Sequence, residues 1–365
     1  MGFADFRGNL ETVQRLRGML GRERLPHAIV LSGLRGSGKY TLALMLARAI
    51  NCLEAPLTDG LPDFCGHCSH CLRIAQSENL EQRFAEAVEA RENLRESDKK
   101  ETRLFVQTHP DVLIIPPDPP QMMIKVDQVR RLIETIYFRP AEARERIYIF
   151  TVSAFMKEAA NALLKVLEEP PEFATIFLLT ENAGELLPTI RSRSMKFSLE
   201  ALPTAEVEAD LAAHRPEWAP EQRGLAARLS AGAIGRARAF DLAAYSASRS
   251  HALAILKSAI DSADHSELFK ITESYRAGTE GREKTEHLLR ALYSLLQDLL
   301  FLCEAAPEMV RNVDILPQLR KLSASITFDW IYSASRQLNE VERGMRRNLL
   351  RSLSLDSFAV AMEPD

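Results

Sequence analysis

The stretch from His27 to Tyr40, HAIVLSGLRGSGKY, constrains the fold more than any other part of the chain. A short apolar, β-leaning run stops at Gly33. The residues KYTLALMLARAINC then place Leu42, Met45, Leu46 and Ala49 on one face of a helix. Strand, glycine-rich turn and helix are the context of a phosphate-binding loop, G-x-x-x-x-G-K-[ST]. Gly33, Gly36 and Gly38 supply backbone freedom. Successive N–H groups, joined by Ser37 and Thr41 at the helix start, form a concave anion site at the positive end of the helix. Lys39 adds a point charge for the β- and γ-phosphates. Nucleotide binding is therefore expected, against the alternative of a relic loop that stays empty.

Hydrolysis needs more than the cradle. Magnesium must be held by a loop hydroxyl and a carboxylate, and water must be oriented. The hydroxyl position is Tyr40, whose oxygen lies at the far side of a ring and overshoots the metal. Thr41, one residue on, points about 100° away on the helix. The strand RIYIF is followed by Thr151, Val152 and Ser153, and no acid occurs until Glu158. Weak ATP or ADP binding without turnover is the expectation, with a defective magnesium site.

At 365 residues the chain is too long for one compact domain. Further strands are expected in DVLII, RIYIFTV and ATIFLLT, and helices in KVDQVRRLIETIYF and KEAANALLKVLEE, the latter stopped by Pro170-Pro171. Strands alternating with helices imply a parallel sheet covered on both faces. Beyond about Ser198 the β-runs fade and helix follows helix. The expected α/β division is a P-loop domain over 1–200, a small helical unit over 201–244 and an all-α domain over 245–365. The dense mixed-sign stretch at about 78–103 reads as a solvated helix or mobile insertion. The formal charge of −4 gives no global pull toward nucleic acid or membrane. No run is apolar enough for a membrane span or a secretory signal, and Phe6 breaks the myristoylation pattern. A reducing, cytoplasmic location is expected, so the five cysteines read as thiols or metal ligands. Cys65, Cys68 and Cys71 share a short spacing, and Cys52 ends the phosphate-loop helix. Four thiolates suit structural zinc with no open position. Cys52 is the expected fourth ligand, with His67 and His70 within reach as substitutes. Cys303 lies in an apolar helix and reads as core.

Several motifs together carry a family resemblance: NALLKVLEEPP, LLPTIRSRS, HPDV, LPHAIVLSGLRGSGK and the zinc-type cysteines. The chain resembles the bacterial clamp-loader subunits of the AAA+ superfamily over roughly residues 1–240. Two types are close, gamma/tau and delta-prime. In gamma/tau the strand matching RIYIF is followed by Asp-Glu, here by Thr151-Val152, and the chain looks like the delta-prime type. The resemblance implies a DNA polymerase III clamp loader with gamma/tau and delta as partners, acting on the sliding clamp and primed DNA. It implies no ATPase activity in this chain alone; an active gamma/tau-type ATPase is the alternative. It also implies that Arg193, in Ser192-Arg193-Ser194, is an arginine finger for a neighbour's ATP. The usual Cys of that motif is Ser194. GAIGRARAF resembles the lid motif that sends an arginine to the phosphates, here Arg236. A zinc-dependent DNA-binding protein is disfavoured by the acidic balance.

Overall fold

In the computed structural model, residues 2–261, 266–275, 278–346 and 351–362 are described. The chain divides into two compact units. One comprises Met1–Pro203 with Gly232–Arg236, the other Thr204–Ala231 with Ala237–Asp365.

The first unit holds α1 (Leu10–Gly21), β1 (Ala28–Gly33), α2 (Lys39–Asn51), the hairpin β2 (Leu57–Thr58) and β3 (Leu61–Pro62), and α3 (Ser69–Ala75). There follow α4 (Leu80–Glu92), α5 (Glu96–Glu101), β4 (Val106–His109), β5 (Val112–Ile115), α6 (Val126–Ile136) and β6 (Arg146–Phe150). The unit continues with α7 (Lys157–Glu168), β7 (Ala174–Thr180), α8 (Pro188–Arg191) and β8 (Met195–Leu199). The six-stranded sheet runs β4-β5-β6-β7-β1-β8, and every pairing is parallel except β4 with β5. The expected P-loop sheet is present. Side chains alternate across it, as period-two geometry requires. Ile29 and Leu31 pack with α1 and α2 in one core; Ala28 and Val30 join α6 and α7 in another. Burial on both faces explains why β1, β5 and β7 read as continuous apolar runs.

Four strands lie outside the sequence expectations: the two-residue hairpin strands β2 and β3, and two strands of the main sheet, β4 and β8. β4 is four residues long with exposed Gln107, and β8 (MKFSL) has two exposed residues at its start. Both sit at sheet edges, where one side of the ladder is open and the hydrophobic signal is diluted.

The charged stretch is helical, as α4 and α5, with an exposed outer face. It is not a loosely tethered insertion. Arg91, 9% exposed, donates to Asp118 Oδ1 at 2.9 Å, and Asp118 is fully buried. Lys125 Nζ stands 3.0 Å from the same oxygen, and the Leu104 N–H donates to Oδ2 at 3.2 Å. Removing one partner of such a buried pair leaves an uncompensated charge. Asp118→Ala is expected to destabilise this unit by about 3–5 kcal/mol, read as a fall in its denaturation midpoint. A midpoint matching wild type would show that α4 is not held this way.

The second unit is helical: α9 (Thr204–His214), α10 (Pro220–Leu229), α12 (Leu242–Asp261), α13 (Ser266–Glu273), α14 (Gly278–Cys303), α15 (Leu316–Ser323), α16 (Phe328–Arg346) and α17 (Arg351–Ala361). The short α11 (Ile234–Arg238) begins in the first unit and ends in the second. Leu292, Leu295 and Leu299 of α14 are completely buried among α12, α16 and α17 side chains. Buried Asp298 accepts the Arg311 and Asn312 N–H groups, both at 2.9 Å, so the carboxylate is paired with two backbone donors of the segment after α14. Cys303 differs from expectation. It is only half-buried, packing against this core from the last residue of α14 with its thiol 3.9 Å from the Ser323 carbonyl. No helix among the described residues is long and apolar enough to cross a membrane.

Candidate functional site

The parallel register sets the C-terminal ends of β1, β6 and β7 side by side: Ser32 is opposite Thr180, and Phe150 opposite Leu178. Open α/β sheets bind ligands at this edge, and the phosphate loop emerges here from β1. Gly36 and Gly38 adopt φ of 82° and 92°, in the left-handed region. At Gly36 the need is also spatial, because a Cβ would lie 2.7 Å from the Arg236 nitrogen. The Gly235 N–H donates to the Gly36 carbonyl at 2.8 Å, so the segment carrying Arg236 lies directly on the loop. The Phe6 ring covers Gly38 from the other side.

Lys39 Nζ donates to the Gly33 and Leu34 carbonyls at 2.6 and 2.7 Å. Burial lowers its pKa, and the Glu181 carboxylate pulls it back up. Ser37 Oγ is buried without a hydrogen-bond partner. A half-buried ammonium beside an orphaned hydroxyl fits an anion, since the hydroxyl gains a partner and the ammonium a counter-charge when one arrives.

Tyr40 is committed elsewhere. Its hydroxyl donates to the Ser77 carbonyl at 2.6 Å, and burial raises its pKa. Thr41 is exposed on the next helical position. After β6, Ser153 Oγ donates to Glu185 at 2.6 Å. The acids near this edge thus come from the segment after β7. Sequence reasoning looked only after β6 and missed Glu181. The available signal was its place immediately after the strand that neighbours β1.

The four cysteines converge although they come from different elements. Cys52 caps the C-terminus of α2, Cys65 follows the hairpin, Cys68 caps the N-terminus of α3, and Cys71 lies in its first turn. Their sulfurs all lie within 4.8 Å of one another. The Ala55 and Cys65 N–H groups donate to Cys52 Sγ at 3.3 Å, and the Cys68 N–H donates to Cys65 Sγ at the same distance. Burial pushes the Cys65 and Cys71 thiols up, while Cys68 is lowered to about 6 by backbone and neighbouring thiol hydrogen bonds that outweigh its burial. The set fits a closed four-sulfur metal centre. His67 and His70 stand outside it: His67 pairs with Glu54 at 3.3 Å, and His70 Nδ1 is 2.9 Å from the Asn51 carbonyl.

His70, His109 and Glu142 form a second cluster. His109 Nδ1 accepts the Asp111 N–H at 3.1 Å, so the neutral ring carries its proton on Nε2 and offers no lone pair there. Arg73 also holds Glu142 at 2.6 Å. A cation is disfavoured on both counts.

Arg193 lies in the turn between α8 and β8. Its Nη2 donates to Glu168 Oε1 at 2.7 Å and its Nη1 to the Thr189 carbonyl at 3.1 Å, and the side chain is 36% exposed. Ser194 Oγ donates to the Ile190 carbonyl. β8 begins at Met195 opposite Ile29 and ends at Leu199 opposite Gly33. Arg193 therefore stands a strand's length, about 13 Å, from its own phosphate loop, beyond the N-terminal end of β8.

Residues 8–203 match the family described as DNA polymerase III, delta subunit. The chain belongs to that family. Among curated relatives of this family member, the tau subunit of DNA polymerase III from Escherichia coli K12 is 31% identical over 210 residues, covering 57% of this chain and 27% of the relative. The tau/gamma subunit from Haemophilus influenzae is 29% identical over 211 residues, covering 58% and 25%. The chain thus spans about a quarter of the length of these relatives. Among solved structures, a gamma subunit-related protein of DNA polymerase III from Thermotoga maritima aligns over 96% of this chain and 98% of its own, at 19% identity and a TM-score of 0.43.

Proposed function

We propose that this chain is a delta-prime-type subunit of a DNA polymerase III clamp loader. It gives Arg193 to a neighbouring subunit's ATP and does not itself hydrolyse ATP. The observation that carries the reading is the position of Arg193: held at the surface, too far from its own loop to serve it. A guanidinium keeps its charge at any physiological pH, and a fixed one stabilises charge developing on a transferring phosphoryl group. Tyr40, tied to Ser77, offers magnesium no hydroxyl, which supports the loss of turnover.

The loop N–H groups of residues 33–38, with Ser37 and Lys39, would hold a nucleotide, and Arg236 lies over Gly36. Cys52, Cys65, Cys68 and Cys71 would hold zinc, which supplies a structural crosslink between α2 and α3. In this reading residues 201–244 act as a lid and 245–365 as a collar, part of the latter falling outside the described residues. The partners are gamma/tau and delta subunits, the sliding clamp and primed DNA.

Reconstitution tests the proposal. Omitting the chain should stop loading of the sliding clamp onto primed DNA. The isolated chain should bind ATP or ADP with little magnesium dependence and show background turnover, and Lys39→Ala should abolish the binding. Steady magnesium-dependent hydrolysis by the isolated chain, lost in Lys39→Ala, would overturn it in favour of a gamma/tau-type ATPase.

A further inference from the structure

Glu168 is the last residue of α7. A carboxylate there is disfavoured, because the helix end carries partial negative charge. It nevertheless meets Arg193 Nη2 at 2.7 Å, from a position 25 residues earlier in the chain. The Thr189 carbonyl and Ser192 Oγ accept from Nη1 at 3.1 and 3.4 Å. Three acceptors from two segments thus grip the two terminal nitrogens and leave Nε for an incoming anion. An arginine free in solvent carries rotamer entropy that is lost when it must adopt one geometry. Here much of that ordering precedes any encounter with a partner. The pair is also partly exposed, with 36% and 52% of the two side chains accessible. An exposed ion pair is weak, so a phosphate of higher charge can draw the guanidinium forward without a large penalty.

We propose that Glu168 is a positioning residue for Arg193, presenting the guanidinium in one orientation to the triphosphate of an adjoining subunit. This rests on the finger reading of Arg193. Glu168 touches neither nucleotide nor reacting atoms; it acts through the arginine alone.

The test is a double-mutant cycle in a complex of this chain with a single ATPase subunit of its clamp loader. Phosphate release is followed over a range of ATP concentrations, and thermal melts confirm that each variant is folded. Glu168→Ala and Glu168→Gln are expected to lower kcat by about two- to fivefold with KM for ATP unchanged. Glu168→Asp, which keeps the charge, should recover part of the loss. Glu168→Ala added to Arg193→Ala should cost nothing further, because the group it positions is gone. An equal loss in both backgrounds would overturn the proposal, as would unchanged kcat in Glu168→Ala beside a slowed Arg193→Ala. If Arg193→Ala itself leaves kcat unchanged, the finger reading fails and this inference with it.

Discussion

In the proposed finger role, Arg193→Ala is expected to slow hydrolysis at a neighbouring subunit's ATP site by roughly 10³–10⁵, while leaving this chain folded and any nucleotide binding of its own intact. The mutated residue is in this chain, and the lost rate is in another. Stability should hardly move, because among the described residues the arginine's ion pair is the surface contact with Glu168. Arg193→Lys should not restore the rate, since a lysine offers a point charge on a flexible stem where the arginine offers a planar fork. Steady turnover of a complete complex will fall far less than the single-site figure, because other ATP sites continue to cycle. Single-turnover phosphate release from a complex with one competent site is therefore the decisive measurement. Wild-type rates there would reject the role.

Cys68→Ser, or stripping with a strong chelator, is expected to produce the largest loss of stability. Structural zinc contributes on the order of 10–16 kcal/mol of apparent binding free energy in small peptides. In this chain α2 and α3 also have an apolar core to hold them, through Leu42, Leu46, Ile50 and Ile74. Loss of metal should lower the melting temperature by several degrees or more without unfolding the whole sheet. Its reach is specific. Cys52 caps one end of α2, and Lys39 begins the other. Tyr40 is tied to Ser77 just beyond α3, and Arg48 to Glu78. Amide hydrogen exchange should therefore rise at residues 39–52 and 69–78, and stay near wild type in β5 and β6. About one zinc per chain in the native protein, absent from Cys68→Ser, is the accompanying result. Metal-free protein with an unaltered melt would reject the site.

Local patterns made much of this legible. The strand before Gly33 and the helix after it are encoded within consecutive residues, so periodicity and glycine placement revealed them. The same holds for α6, α7, β6 and β7. Three cysteines were legible from spacing, because Cys65, Cys68 and Cys71 sit on one short loop and helix start. Cys52 was expected as the fourth ligand from its place at the end of the phosphate-loop helix, and the packing of α2 against α3 brings its sulfur, which accepts the Cys65 N–H, to the other three.

Other features depend on pairs far apart in sequence. The Tyr40 side chain could be seen to miss a metal; that its hydroxyl would end on the Ser77 carbonyl could not, since 37 residues intervene. Arg91 looked like one more charge in a solvated stretch. Its meeting with buried Asp118, 27 residues away, is what ties α4 to the rest of the unit. Glu181 faces the phosphate loop because β7 lies between β6 and β1, an order that no run of residues reveals.

The amino-acid sequence alone determined the kinds of element, the phosphate loop with its missing metal hydroxyl, and the residue types able to bind metal. These follow from short-range sterics and side-chain chemistry. Only the tertiary structure decided which charges are buried and paired, which acid stands near the phosphate loop, and that Arg193 is held by Glu168 away from its own loop. Those outcomes turn on strand order and helix packing, where the energy of a contact depends on groups that chain connectivity leaves tens of residues apart.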